Sequence, residues 1–286
     1  RRRNRRGLIL SLFSVFYYLV LSFIYILAIP YLIFKSRNSK YTKAIPAKFF
    51  LKDNVPFKEN GIWFHSCSMG ETKAIKPLID NYLENANISV ITNTGFEEAK
   101  KISPNVRYLP FEIFLPFWVN KQKVLVVMEA ELWYLLFLFA KKKGAKTLLI
   151  NARISDKSYK SYKRFSFFYK RIFQNIDKVF AQSEVDKLRL EELGASNVEV
   201  IGNIKLAQLP KVNVKLEKPK QVVITAASTH ENEEKLVLDA YKKEQGKLII
   251  VPRHPERFEK VHLMILEFIK DKNISYQRYS IKDDFD

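Results

Sequence analysis

The chain has 286 residues, 47% of them apolar, enough to bury one large core or two ordinary ones. A single cysteine, Cys67, excludes an intramolecular disulfide and a cysteine-rich metal site. The formal charge of +19 suggests a nucleic-acid binder, but eleven of the 49 Lys and Arg precede the first acid, Asp53, and the remainder shows no RNP, KH or zinc-finger pattern, so that class is set aside.

Residues 7–34 carry no charge and are dominated by Leu, Ile, Phe, Tyr and Val. About 20 apolar residues cross a bilayer as a helix, so residues 1–43 are expected to form a basic N-terminus and a membrane anchor whose apolar surface faces lipid and not the protein core. Both flanks are basic: five of the first six residues are Arg, and Lys35, Arg37, Lys40 and Lys43 follow. The positive-inside rule therefore gives no orientation, and a helix lying in the inner leaflet with both ends cytoplasmic satisfies both flanks.

Eight short apolar runs follow, and each ends in a polar cluster. IWF leads into HSCSMGE, ISVI into TNTG, VLVV into MEAELW, and LLI into NARIS. KVF leads into AQSE, VEVI into GNIK, VVIT into AASTHE, and LIIV into PRHPERF. Runs of this length, rich in Val, Ile and Leu, suit strands buried on both faces. The stretches between them predict helices at about 71–85, 131–143, 157–175, 183–193, 231–244 and 255–272. Such alternation predicts a doubly wound parallel sheet, where ligands bind beyond the carboxyl ends of the strands. The polar clusters therefore describe one rim.

Pro210 and Pro219 bracket a Lys-rich connector between Leu206 and Lys220. This places one α/β domain at 53–206 and a second at 220–286. The second shows two clear strands, two helices and a further expected strand at Ser275–Arg278. Its C-terminal half is expected to be absent, because a small doubly wound sheet needs more chain to cover both faces.

With eight glycines, the chain has neither a GxGxxG nor a GxxxxGK[ST] motif, so neither dinucleotide nor P-loop chemistry has its backbone requirement. Phosphate is instead expected at PRHPERF, where Arg253 and His254 end a strand and a Pro opens the next helix. THENEE offers a similar site one unit earlier, with Ser228 or Thr229 as helix cap. The histidines show no metal-ligand spacing, so no metal is expected. Cys67 is expected to act as a small apolar residue in a tight turn.

HSCSMGE, TNTGFEEA, YLPFE, MEAELW, NARISDKS, AQSEVDKLRLEELGA, GNIK, AASTHENEE and VPRHPERF follow one another in the order and approximate spacing of the Kdo transferases, which this chain resembles over roughly residues 20–280. The resemblance implies an α/β fold of GT-B type: two facing Rossmann-like domains, an acceptor-binding one at 53–206 and a partial donor-binding one at 220–286. It also implies an inverting glycosyltransferase of the bacterial inner membrane, with its catalytic domain on the cytoplasmic side. Such an enzyme moves 3-deoxy-D-manno-octulosonic acid (Kdo) from CMP-Kdo onto a lipid A precursor, without a cofactor. By position, Glu71 aligns with the proton acceptor, and Glu129 and Lys205 with transition-state stabilisers. Pro252 and Arg253 align with CMP contacts; Thr229 and His230 are further donor-side candidates, and Ser68 and Arg153 further rim candidates.

Three features depart from the family pattern. Tyr134 replaces a Pro, Leu206-Ala207 replaces a common Phe-Asp, and a Gly-rich nucleotide segment is missing. Two alternatives compete with this reading. One is another GT-B lipid glycosyltransferase, such as lipid A disaccharide synthase; the other is a non-catalytic, membrane-anchored basic protein.

Overall fold

The computed structural model describes residues 11–207, 220–241 and 246–278. The Arg-rich start, the whole Pro210–Pro219 stretch and the acidic DDFD end lie outside these. The chain divides into two compact units, Arg1–Pro210 and Lys211–Asp286.

The first unit opens with helices α1 (Leu12–Ser36) and α2 (Ala44–Phe50). Strand and helix then alternate through β1 (Ile62–Ser66), α3 (Met69–Asp80), β2 (Ala86–Val90), α4 (Asn93–Lys100) and β3 (Val106–Tyr108). They continue with α5 (Leu115–Trp118), β4 (Val124–Met128), α6 (Tyr134–Lys142) and β5 (Lys146–Ala152). The unit closes with α7 (Asp156–Arg164), α8 (Ser166–Phe173), β6 (Lys178–Ala181), α9 (Glu184–Glu192) and β7 (Val198–Val200).

All seven strands are parallel, in the order β3-β2-β1-β4-β5-β6-β7. Successive strand residues point to opposite faces, and both faces are covered. Trp63, Leu125 and Val127 join one core, while Phe64, Val126 and Met128 join the other.

The polar clusters owe their recurrence to helix starts. Ser68, Thr92, Ser155 and Ser183 each accept the backbone N–H of the residue three further on, which satisfies a donor that the first helical turn leaves free. TNTG needs its glycine for space: a Cβ on Gly95 would lie 3.2 Å from the Cys67 carbonyl oxygen and 3.3 Å from the Ser68 carbonyl carbon. Thr92 ties the same turn, donating from its hydroxyl to that Cys67 oxygen at 2.9 Å.

The apolar segment forms a helix long and apolar enough to cross a membrane, but its surface does not avoid the protein core as expected. Helix α1 forms as predicted, but Phe13, Tyr17, Tyr18 and Leu21 pack against the first unit's core. One face of the helix is therefore a protein face. The helix expected over 157–175 breaks into α7 and α8 at Phe165, whose ψ of 28° leaves the helical range. Strand β3, hidden in a three-residue stretch, was not among the eight runs.

The second unit contains β8 (Val223–Thr229), α10 (Glu233–Tyr241), β9 (Lys247–Pro252) and α11 (Phe258–Ile269), with β8 and β9 parallel. The strand expected at Ser275–Arg278 does not form; these residues join no ladder.

Candidate functional site

In the first unit the strand order reverses between β1 and β4, which lie side by side. A crevice opens at such a switch point because the crossovers on its two sides leave in opposite directions. Glu71 enters from the helix after β1, and Glu129 is the first residue after β4. The topology thus brings together two acids that are 58 positions apart in the chain.

Ser68 is the N-cap of α3, and Glu71 is the third residue of that helix. The Glu71 carboxylate accepts the Cys67 N–H at 2.8 Å and the Ser68 hydroxyl at 2.9 Å. This is a capping-box arrangement reaching one residue further back than usual. Burial raises the Glu71 pKa above the ordinary carboxylate value; the two hydrogen bonds oppose that rise, and the nearby Glu129 and Glu131 charges add to it. A carboxylate raised in this way holds a proton more firmly and is a better base near neutral pH.

Glu129 has a φ of 54°, in the left-handed region, which is unfavourable for a residue with a long side chain. Its Oε1 meets Lys205 Nζ at 2.6 Å. Asn151, at the end of β5 with a φ of 53°, organises this pair. Its side-chain oxygen accepts the Ile204 N–H at 3.0 Å, and its amide nitrogen approaches Glu129 Oε1 at 3.5 Å. One buried asparagine therefore connects the MEAELW and GNIK segments.

Two more charged groups border the cluster. Glu131 accepts the Trp133 indole N–H at 2.7 Å. The Lys48 ammonium is lowered in pKa by burial, with Cys67 and Glu131 opposing that shift. Burial, followed by Glu131 and Glu71, pushes the Cys67 thiol up to about 12, so it stays protonated and is a poor nucleophile. Arg153 is exposed beyond β5. Among the described residues no group of three or more His, Cys, Asp or Glu is placed to share a metal ion.

The donor-side candidates lie in the second unit. Pro252 ends β9, and the exposed Arg253 donates its N–H to the Thr229 carbonyl at 3.0 Å. Ser228 and Thr229 do not cap the next helix, which begins at Glu233. Ser228 is in the left-handed region at φ 60°, and the buried Thr229 hydroxyl donates to Glu234 Oε1 at 2.8 Å. Arg257 grips both Glu234 oxygens at 2.7 and 2.9 Å. His230 is exposed, with its ring centroid 5.9 Å from that of His254.

Sequence reasoning passed over Asn151, Glu131, Lys48, Glu234 and Arg257. Asn151 and Glu131 were visible inside the rim motifs NARIS and MEAELW. Lys48 sits in α2, away from any strand end, and had no signal.

Comparison with known proteins places these motifs in context. Residues 37–208 match the family model described as 3-Deoxy-D-manno-octulosonic-acid transferase (kdotransferase). The chain belongs to the kdotransferase family. A bifunctional glycosyltransferase/methyltransferase of Fusobacterium nucleatum subsp. nucleatum is 34% identical over 247 residues, covering 78% of this chain and 38% of that protein. A 3-deoxy-D-manno-octulosonic acid transferase of Rickettsia bellii is 34% identical over 226 residues, covering 70% of this chain and 53% of its own length. A protein of the same description from Chlamydia pneumoniae is 31% identical over 224 residues, with 72% and 51% covered. The chain thus spans about half the length of the kdotransferases it matches, and less of the bifunctional relative. A glycosyltransferase structure from Rickettsia africae ESF-5 overlaps 75% of this chain and 66% of its own at a TM-score of 0.40 and 15% identity, a likeness too remote to weigh on the fold. Every element from α2 to β7 lies within the span that matches the kdotransferase model.

Proposed function

We propose that this kdotransferase-family chain serves an inverting glycosyltransferase that moves Kdo from CMP-Kdo to a lipid A precursor. On this reading it works at the cytoplasmic side of the bacterial inner membrane, without metal or cofactor. The observation that carries the proposal is Glu71: a carboxylate at the switch point, oriented by two hydrogen bonds and raised in pKa largely by burial.

In the proposed reaction an acceptor hydroxyl gives its proton to Glu71 as its oxygen attacks the anomeric carbon of Kdo. The bond from that carbon to the CMP phosphate oxygen breaks, and CMP leaves as an anion. Lys205 supplies positive charge where the transition state develops negative charge, and Glu129 holds Lys205 in place. Arg253, exposed beyond β9, meets the donor phosphate together with the chain turn at Pro252 and His230. Ser68 acts through Glu71 by fixing its carboxylate.

The test is donor choice. The membrane-bound protein is incubated with a tetra-acylated lipid A precursor and either CMP-Kdo or a UDP-sugar, and the lipid product is resolved by mass spectrometry. A Kdo-bearing lipid formed only from CMP-Kdo is the expected result. Transfer from the UDP-sugar would favour a different lipid glycosyltransferase, and binding of neither donor would favour a non-catalytic role.

A further inference from the structure

Helix α1 is apolar on every side, yet its surroundings divide it into two faces. Covered or half-covered positions recur at 14, 17, 21, 25, 28 and 32, at spacings of three and four, from the first turn to the last. On the other side Phe16, Leu19, Phe23, Leu27 and Phe34 are between 60% and 71% exposed.

Polar groups fasten the covered face along much of its length. Ser14 Oγ and Tyr134 OH share a hydrogen bond of 2.7 Å. Tyr17 OH donates to Glu112 Oε1 at 2.7 Å, and the other Glu112 oxygen accepts the Leu135 N–H at 2.6 Å. Tyr25 OH donates to the Phe49 carbonyl at 2.5 Å. Glu112 closes the YLPFE motif, and Tyr134 follows MEAELW; both form the seat of α1.

A helix that crosses a bilayer has hydrocarbon around it through a core about 30 Å thick. From position 14 to position 32 α1 rises about 27 Å at 1.5 Å per residue, and the α/β unit accompanies it over that distance. If α1 crossed while docked, the unit's flank and its buried Glu112 would enter hydrocarbon. If it undocked, Glu112 would lose the Tyr17 hydroxyl.

We infer that α1 is an in-plane anchor, seated on the α/β unit along one face and sunk along the other into a single leaflet containing anionic lipid. Charge at both of its ends matches this placement. Lys35 lies in the last turn and Arg37, Lys40 and Lys43 follow it, and the Arg171 guanidinium lies 4.3 Å from the Phe13 ring centroid beside the first turn. Residues 157–176 carry six Lys and Arg and no acid. A crossing helix would put these two groups of cations in opposite headgroup layers, whereas an in-plane helix puts both in one. Phe165 and Phe167, 50% and 57% exposed, adjoin the Phe168 that packs on Tyr17 and extend the lipid-facing surface. The inference rests on the anchor alone and not on the donor or the reaction.

The experiment uses the whole protein with Cys67→Ala, reconstituted into phosphatidylethanolamine and phosphatidylglycerol vesicles. Single cysteines replace Phe16, Leu19, Phe23 or Phe34, which share the exposed face over about five turns, and carry a nitroxide, whose depth is read from collisions with oxygen and with a water-soluble nickel complex. Similar depths at all four positions, roughly 5–10 Å below the headgroup boundary, are expected. A depth that is greatest at mid-helix and falls toward the ends would overturn the inference, and so would labels shielded from both lipid and water. Ser11→Cys and Arg37→Cys should react with an impermeant maleimide from the same side, and reaction from opposite sides would also overturn it. Binding should be several-fold weaker to phosphatidylcholine vesicles lacking phosphatidylglycerol; equal binding would refute the anionic-lipid part.

Discussion

Glu129 with Lys205 in the first unit, and Glu234 with Arg257 in the second, each join a carboxylate to a cation beyond a strand end. In the second unit both acid oxygens are gripped, Thr229 adds a third contact, and the side chains are 0% and 15% exposed. In the first unit one carboxylate oxygen is engaged, by Lys205 and more distantly by the Asn151 amide, the side chains are 28% and 45% exposed, and the backbone at Glu129 is strained. A buried bidentate pair cannot change partners without stranding a charge, whereas a half-exposed pair joined through one oxygen is worth little and exchanges readily. The second pair is a structural clamp, and the first is the more open of the two.

The comparison is broken most severely at Glu71, the proposed base beside the open pair. Glu71→Gln keeps an acceptor for the Cys67 N–H, so circular dichroism should be unchanged. Turnover should fall by about 10²–10⁴-fold, the usual contribution of a general base. Near-normal turnover would remove Glu71 from the mechanism.

The clamp is tested by its opposite behaviour. Arg257→Met strands the Glu234 carboxylate and should lower the unfolding midpoint of the second unit by several degrees, whereas Arg257→Met with Glu234→Met should recover most of that loss. Burial alone would raise the Glu234 pKa, but the Arg257 and Thr229 hydrogen bonds outweigh it and leave the carboxyl below its ordinary value. A depressed carboxylate binds fewer protons in the folded than in the unfolded state. Its stabilisation is therefore present above the ordinary carboxylate pKa and is lost as pH falls through the lower folded value. The double variant should show a shallower acid unfolding curve than the parent, and an equally steep curve would contradict the clamp.

Asn151→Ala removes the acceptor for the Ile204 N–H and places alanine at φ 53°. A loss of about 1–3 kcal/mol in denaturant unfolding of the first unit is expected. A further few-fold drop in turnover should follow, because Lys205 then loses its support.

Glu131→Gln is the mildest change. It removes one like charge that helps raise Glu71, so the acidic limb of the pH–rate profile should move to lower pH by less than about one unit. An unmoved limb would mean that another group controls it.

Much of this was legible because the signals are local. Ser68-Met69-Gly70-Glu71 marks a helix start in the sequence, but Glu71 was singled out as proton acceptor by the resemblance to the Kdo transferases and not by that pattern. Runs such as VLVV and LLI marked buried strands by composition alone. Strand β3 escaped because three residues establish no pattern, and the break at Phe165 escaped because the apolar spacing continues across it. Arg253 was singled out within PRHPERF, yet Arg257 makes the buried contact, since its partner Glu234 lies 23 residues earlier.

The sequence by itself determined the alternation of strand and helix, the apolar N-terminal segment and the polar clusters at the strand ends, because periodicity and capping act within a few residues. Tertiary structure decided which strands adjoin, and so which acids share the switch point, because a parallel crossover can bring distant strands together. It also decided which face of α1 is protein and which is free for lipid. The charge-free helix carries the hydroxyls of Ser14, Tyr17 and Tyr25 on one face, but only the positions of Tyr134, Glu112 and the Phe49 carbonyl across the fold give them partners and so select the face that docks.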